Sequence, residues 1–222
     1  MQKEFSQNDK NIAAYALNTF KPEDNILKEV RDRAKKLEIP AIHVNDMDGK
    51  HLEVLIAMAN AEKIIEVGTL AGYSAICIAR GMQNKGILHT IEIEQKHYDA
   101  AKTSFKNANI SHLIKQHLGS ALNILKSLEQ EGSFDAIFID ADKVSYPDYL
   151  TWAEKNIRIG GIIIADNTFA WGHINDSHFE TLELEKQVKG IREFNQRIAN
   201  NSNFKATILP TGEGLTVAVR IS

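Results

Sequence analysis

The residues with the most chemical content lie in FIDADK, residues 138–143, where an apolar run ends in two acids and a lysine. A second apolar run, Ile162 to Ala165, ends in Asp166-Asn167. In open α/β sheets ligands bind in the crevice beyond the carboxyl ends of the strands, so oxygen donors at these two ends suggest a hard-metal site on a sheet rim. Asp140, Asp166 and Asn167 offer three oxygens for one face of an octahedron and leave three positions for substrate and water. Magnesium favours such a shell, with calcium or manganese as alternatives. In isolation an Asp-Asn pair is more often a turn or a helix cap. Lys143, three residues after Asp140, can lie across the same rim and transfer a proton. The ordinary alternative is a surface lysine paired with Asp142 or Asp148.

A second constellation follows the first predicted strand, where the chain leaves through EVGTLAGYS, residues 66–74, and a further acid, Glu92, ends the next strand. A turn of small residues lets a ligand approach the backbone, and a carboxylate after the second strand can accept from both ribose hydroxyls. The dinucleotide fingerprint G-x-G-x-x-G is absent, and Glu66 would set negative charge beside any pyrophosphate. A cationic ligand without phosphate fits better. S-adenosylmethionine has a ribose for Glu92, an ammonium for acidic company, and a carboxylate for backbone and hydroxyl donors near Tyr73 and Ser74. The plain alternative is a strand-turn-helix with a solvated Glu92.

Positioning these groups requires alternating strands and helices. Helical spacing runs from about Pro22 to Leu37, around Ile12 to Leu17, and again in HLEVLIAMANA after a turn at Asn45 to Gly49. Strands are expected at 64–67, 87–91, 113–118, 134–139 and 162–165, each followed by a helical segment, the last from about Leu184 to Ile198. Residues 204–209 and 215–221 are joined only by PTGEG, too short for a parallel crossover, so these two runs pair antiparallel. The expectation is an α/β fold with seven strands, the last antiparallel, and helices on both faces.

With 222 residues, 43% hydrophobic, and only four prolines, the chain supports one domain, 1–222. A helical cap over 1–60 precedes a Rossmann-like core over 61–222. A formal charge of -3 argues against a large nucleic-acid field. The single cysteine, Cys77, excludes an internal disulfide and fits a reducing compartment. The N-terminal MQKEFSQNDK is polar where a signal peptide needs an apolar core, and no run suits a membrane span, so a cytoplasmic protein is expected.

Taken together, these segments resemble the cation-dependent class I O-methyltransferases, the group that contains catechol and caffeoyl-CoA O-methyltransferases. EVGTLAGYS is similar to the family's cofactor loop, IEIE to its ribose-binding acid, FIDADK to its metal and base segment, and ADNT to its second metal segment. VKGIREFN and GEGLTVAV resemble its last long helix and closing strand. Where the family usually has Ser-Pro before Gly49, this chain has Asn45-Asp46. The resemblance implies a sheet ordered 3-2-1-4-5-7-6 and a homodimer. Asp140, Asp166 and Asn167 would hold the metal, and Lys143 would be the general base. Val44, Glu66, Gly68, Thr69, Tyr73, Ser74, Glu92, Ala121 and Asp140 would line the cofactor pocket. Lys143, Asn167 and Trp171 would meet a catechol-like phenol, flavonoid or hydroxycinnamoyl acceptor. The loop Phe169 to Phe179, with Trp171, His173 and His178, is expected in the acceptor pocket. Two other readings are a tRNA hydroxyuridine O-methyltransferase of the same family, marked by a basic rim from Lys35, Lys36, Lys102 or Lys115, and, more remotely, an NAD-dependent dehydrogenase.

Overall fold

The computed structural model describes residues 10–222; the polar stretch 1–9 lies outside the described residues. Five strands, β1 (Lys63–Val67), β2 (Ile87–Glu92), β3 (Ile114–Leu118), β4 (Phe134–Ile139) and β5 (Ile157–Ala165), run parallel. They join β6 (Phe204–Leu209) and β7 (Leu215–Arg220) in one sheet ordered 3-2-1-4-5-7-6, as expected. The short PTGEG turn forces β6 and β7 to pair antiparallel, and β7 also pairs antiparallel with β5, between β5 and β6.

The central strands are predominantly apolar because both of their faces are covered. Alternate side chains go to opposite faces. Ile64, Leu88, Ala136, Phe138 and Ile164 pack under α2 (Asn25–Lys36), α3 (Asp46–Met58), α4 (Tyr73–Gly81) and α5 (Gln95–Asn107). Ile65, Val67, Ile137, Ile139 and Ile163 pack under α6 (Ala121–Leu128), α7 (Tyr146–Asn156) and α8 (Leu182–Asn200). Each large aliphatic side chain so buried contributes about 1.5–3 kcal/mol. A further helix, α1 (Lys10–Phe20), precedes these. Among the described residues no helix is long and apolar enough to cross a membrane.

Two local differences from the sequence reading have physical causes. β5 begins at Ile157 rather than Ile162, because Gly160-Gly161 forms an irregularity inside the strand rather than a break before it. Gly160 has φ +78, and a Cβ on Gly161 would meet the Asp135 carbonyl at 2.7 Å. The departure at Asn45-Asp46 leaves the start of α3 intact: the Asn45 side chain accepts from the Asp48 N–H at 2.8 Å, an N-cap role that asparagine fills as well as serine.

Backbone bonding continues one rung past the strands where the acids leave the sheet. The Asp140 N–H donates to the Val67 carbonyl (2.8 Å), and the Asp166 N–H to the Ile139 carbonyl (3.0 Å). The tips of β1, β4 and β5 are therefore in step. Gly68, at φ +99, brings the first loop against β4 so closely that a Cβ there would sit 2.0 Å from the Asp140 carbonyl oxygen.

Candidate active site

The β4 and β5 tips carry one connected polar cluster. Lys143 Nζ donates to Asp140 Oδ1 at 2.8 Å and to the Tyr146 hydroxyl at 2.7 Å, and the lysine is only 7% exposed. It is thus neither a surface group nor the partner of Asp142, whose carboxylate takes the Tyr149 hydroxyl and the Ser145 N–H. The Tyr146 oxygen lies 3.1 Å from the Ile139 carbonyl and 3.0 Å from that of Asp166, so its single proton serves one carbonyl at a time. Burial, then the charges of Asp140 and Asp166, hold its pKa well above the ordinary tyrosine value. Gly190 of α8 backs the same turn, where a Cβ would fall 2.2 Å from the Lys143 carbonyl oxygen.

Asp166 is buried and accepts from the Asn167 N–H at 2.7 Å. Burial and then the Asp140 charge push its pKa well above the carboxylate range; Asp48 adds to this and Lys143 opposes it. Asn167 adopts the left-handed conformation at φ +56 and donates its amide N–H to Glu213 Oε2 at 2.7 Å. Among the described residues no three His, Cys, Asp or Glu side chains form a metal cage.

The β1 and β2 tips carry the second cluster. Glu66 is fully buried; Oε2 accepts from the Thr90 hydroxyl at 2.5 Å, Thr90 meets the Thr69 hydroxyl at 2.5 Å, and Oε1 has no partner. Burial raises its pKa to about 8 against the opposing Ser74 and Thr90 hydroxyls. Glu66 and Asp166 are both easier to protonate in the folded chain than in the unfolded one. The folded state then holds the extra protons, and stability falls as pH rises from the ordinary carboxylate range to about 8. Thermal melts of the ligand-free protein should show this decline, and Glu66→Gln should flatten it; an unchanged slope in the variant would refute the assignment.

Glu92 accepts from three backbone N–H groups, Leu70 (2.8 Å), Ile93 (2.9 Å) and Glu94 (2.9 Å). It is an anchored, buried carboxylate rather than a solvated one. Tyr73 opens α4, and its hydroxyl donates to Glu23 at 3.1 Å. Val44 is buried, and its carbonyl accepts from Arg31 at 3.0 Å while that guanidinium stacks 4.2 Å from the Tyr73 ring centroid. Ala121 is the first residue of α6.

The Trp171 segment is a short 3-10 stretch, Ala170–Asn175, with Trp171 at φ 54 and 44% exposed. Arg192 of α8 ties it down through the Ile174 (2.7 Å) and Asp176 (2.5 Å) carbonyls. A cleft of ≈ 510 Å³ lies between this segment and α8, bounded by Ile174, Asp176, Arg192 and Gln196. His173 pairs with Asp176 at 2.7 Å, and His178 is exposed. His89 and His117 pair with each other across β2 and β3 at 3.1 Å, and His89 Nε2 lies 3.5 Å from Glu131.

Sequence reasoning passed over Tyr146, Thr90 and Glu213. The signal for Tyr146 was its place three residues beyond Lys143, and for Thr90 its place on the same strand face as Glu92. Glu213 gave none beyond standing between two glycines of a turn.

The model of the O-methyltransferase family matches residues 17–221. A catechol O-methyltransferase from Niastella koreensis is 38% identical over 189 residues, covering 84% of each chain. The crystal structure of an O-methyltransferase from Bacillus cereus in complex with SAH superposes with a TM-score of 0.86 at 35% identity, covering 95% of this chain and 97% of that one. That of TomG from Streptomyces achromogenes, an O-methyltransferase of tomaymycin synthesis in complex with SAM, gives 0.86 at 31% identity over 96% of each chain. Since the family match runs through the glycine loop, both acid-bearing tips and the closing strand, the chain belongs to the O-methyltransferase family, in the group of the catechol and caffeoyl-CoA enzymes.

Proposed function

We propose that the chain transfers a methyl group from S-adenosylmethionine to one hydroxyl of a vicinal dihydroxy acceptor, a catechol-like phenol, flavonoid or hydroxycinnamoyl compound, with a divalent ion held by Asp140, Asp166 and Asn167. The observation that carries this reading is Asp166: a buried acid one ladder rung from Asp140, with Asp48 adding charge and one ammonium opposing it. Two acids crowded so that one of them favours its neutral form suit a hard cation, which would let both ionise, magnesium first and calcium or manganese next. The unpartnered Oε1 of Glu66 and the anchored Glu92 suit a cationic nucleoside. The similar Bacillus cereus and Streptomyces achromogenes enzymes, in complex with SAH and SAM, support the same cofactor.

When bound, the cofactor supplies an electrophilic sulfonium methyl and the ion supplies Lewis acidity at the paired acceptor oxygens. Lys143 Nζ, held by Asp140 and Tyr146, would first release its ammonium proton to solvent, and the neutral amine, still donating its two N–H bonds to those partners, would take the proton from the acceptor hydroxyl on its lone pair. A lone pair of the deprotonated acceptor oxygen would then form the O–C bond while the C–S bond broke with its electrons kept on sulfur. Asp140 sets the spacing of the two sites, with its backbone against Gly68 and its carboxylate on Lys143. Trp171, 44% exposed in the segment that follows β5, would line the acceptor side.

We also read 1–222 as one domain, since all strands between residues 63 and 220 join one sheet, and as a homodimer, a reading that the exposed Tyr15, Phe20 and Met58 favour. Catechols, hydroxycinnamoyl thioesters, flavonoids and hydroxylated tRNA should be assayed with labelled methyl donor, with magnesium and with excess chelator. Methylation of a small vicinal diol that chelator abolishes is the expected result. Methylation of tRNA alone, or turnover indifferent to chelator, would overturn the proposal.

A further inference from the structure

We propose that Glu213 decides which end of the Asn167 amide faces the acid cluster, and so acts as a positioning residue for the divalent ion; this rests on the metal reading above. An asparagine amide is nearly symmetric in shape, but its oxygen accepts and its nitrogen only donates. Only the oxygen can ligate a cation. The Glu213 carboxylate lies 2.7 Å from the amide nitrogen of Asn167, and because a carboxylate accepts, it selects the orientation with the NH2 toward Glu213 and Oδ1 away from it. Without this acceptor the amide is free to turn and present its N–H bonds to the ion.

The backbone holds Glu213 in place for this. The Thr168 N–H donates to the Gly214 carbonyl at 3.0 Å, and the Phe169 N–H to the Glu213 carbonyl at 2.9 Å, so the turn between β6 and β7 is fastened to the residues just beyond Asn167. Gly214 is at φ +77, and a Cβ on it would meet the Phe169 ring at 2.7 Å, so the approach depends on glycine. Asn167 is itself in the left-handed region, which asparagine tolerates better than most residues. The hairpin turn is therefore part of the site's outer framework.

The test is Mn2+ binding to the full chain, followed by electron paramagnetic resonance. Glu213→Ala should weaken Mn2+ binding by about 10- to 100-fold, the usual effect of losing a group that orients a metal ligand. Glu213→Gln, which keeps a carbonyl acceptor at the same reach, should retain most of the affinity. In an Asn167→Ala background, Glu213→Ala should cost nothing further, because the two residues act as one unit. If Glu213→Ala does not fold, Glu213→Ser, too short to reach the amide, takes its place. Wild-type affinity in Glu213→Ala overturns the inference, and so does an equal loss in Glu213→Gln, which would make the charge itself the ligand. A wild-type chain that binds no Mn2+ defeats the metal reading before any variant is compared.

Discussion

Lys143→Ala should lower kcat by about 10² to 10⁴, the usual contribution of a general base, while the dissociation constant for S-adenosylmethionine stays near that of the wild type. The two effects separate because the lysine belongs to the β4–β5 cluster, with its ammonium on Asp140 and Tyr146, whereas Glu66, Thr69 and Glu92 belong to the β1–β2 cluster. Calorimetric titration of the cofactor beside steady-state kinetics measures both. A large loss of cofactor affinity with kcat preserved would remove Lys143 from the role of base.

Asp166→Ala should abolish turnover and the response to metal together, yet leave the ligand-free protein more stable at pH 8 than the wild type. Deleting a buried side chain ordinarily destabilises. Here the side chain is an acid whose ionised form is disfavoured by burial and by Asp140, so its removal relieves a cost that grows as pH rises. Metal at 100 times its dissociation constant should stabilise the wild type by about 2.7 kcal/mol and the variant not at all. Melting curves of both proteins at pH 6 and pH 8, with and without magnesium, give the stability differences, and a methyl-transfer assay gives the turnover. A magnesium shift that survives in the variant would place the ion elsewhere.

Much of this arrangement was legible in the sequence because parallel strands buried on both faces write themselves as continuous apolar runs whose ends announce the rim. FIDADK and Ile162 to Asn167 showed both the strands and the groups they deliver. Gly160-Gly161 misled the start of β5, since a glycine pair that punctuates a chain and one that kinks a strand look alike. Tyr73 was assigned by its neighbours in the loop, and spacing alone did not show that its hydroxyl meets Glu23 and its ring meets Arg31. Tyr146 and Glu213 escaped for a different reason. Spacing placed Tyr146 beside Lys143, but its contact with the Asp166 carbonyl spans 20 positions of chain and that of Glu213 with the Asn167 amide spans 46, and local spacing does not report such pairings.

The place of β7 in the sheet has a consequence for the order of assembly. Translation delivers β5 and β6 first, and β5 then waits with a bare hydrogen-bonding edge until its neighbour emerges and slides in between them. A nascent chain paused before residue 215 would carry every proposed metal ligand and the lysine, yet lack the strand that seals β5. It would invite mispairing with other nascent polypeptides, so chaperone demand should peak during that interval.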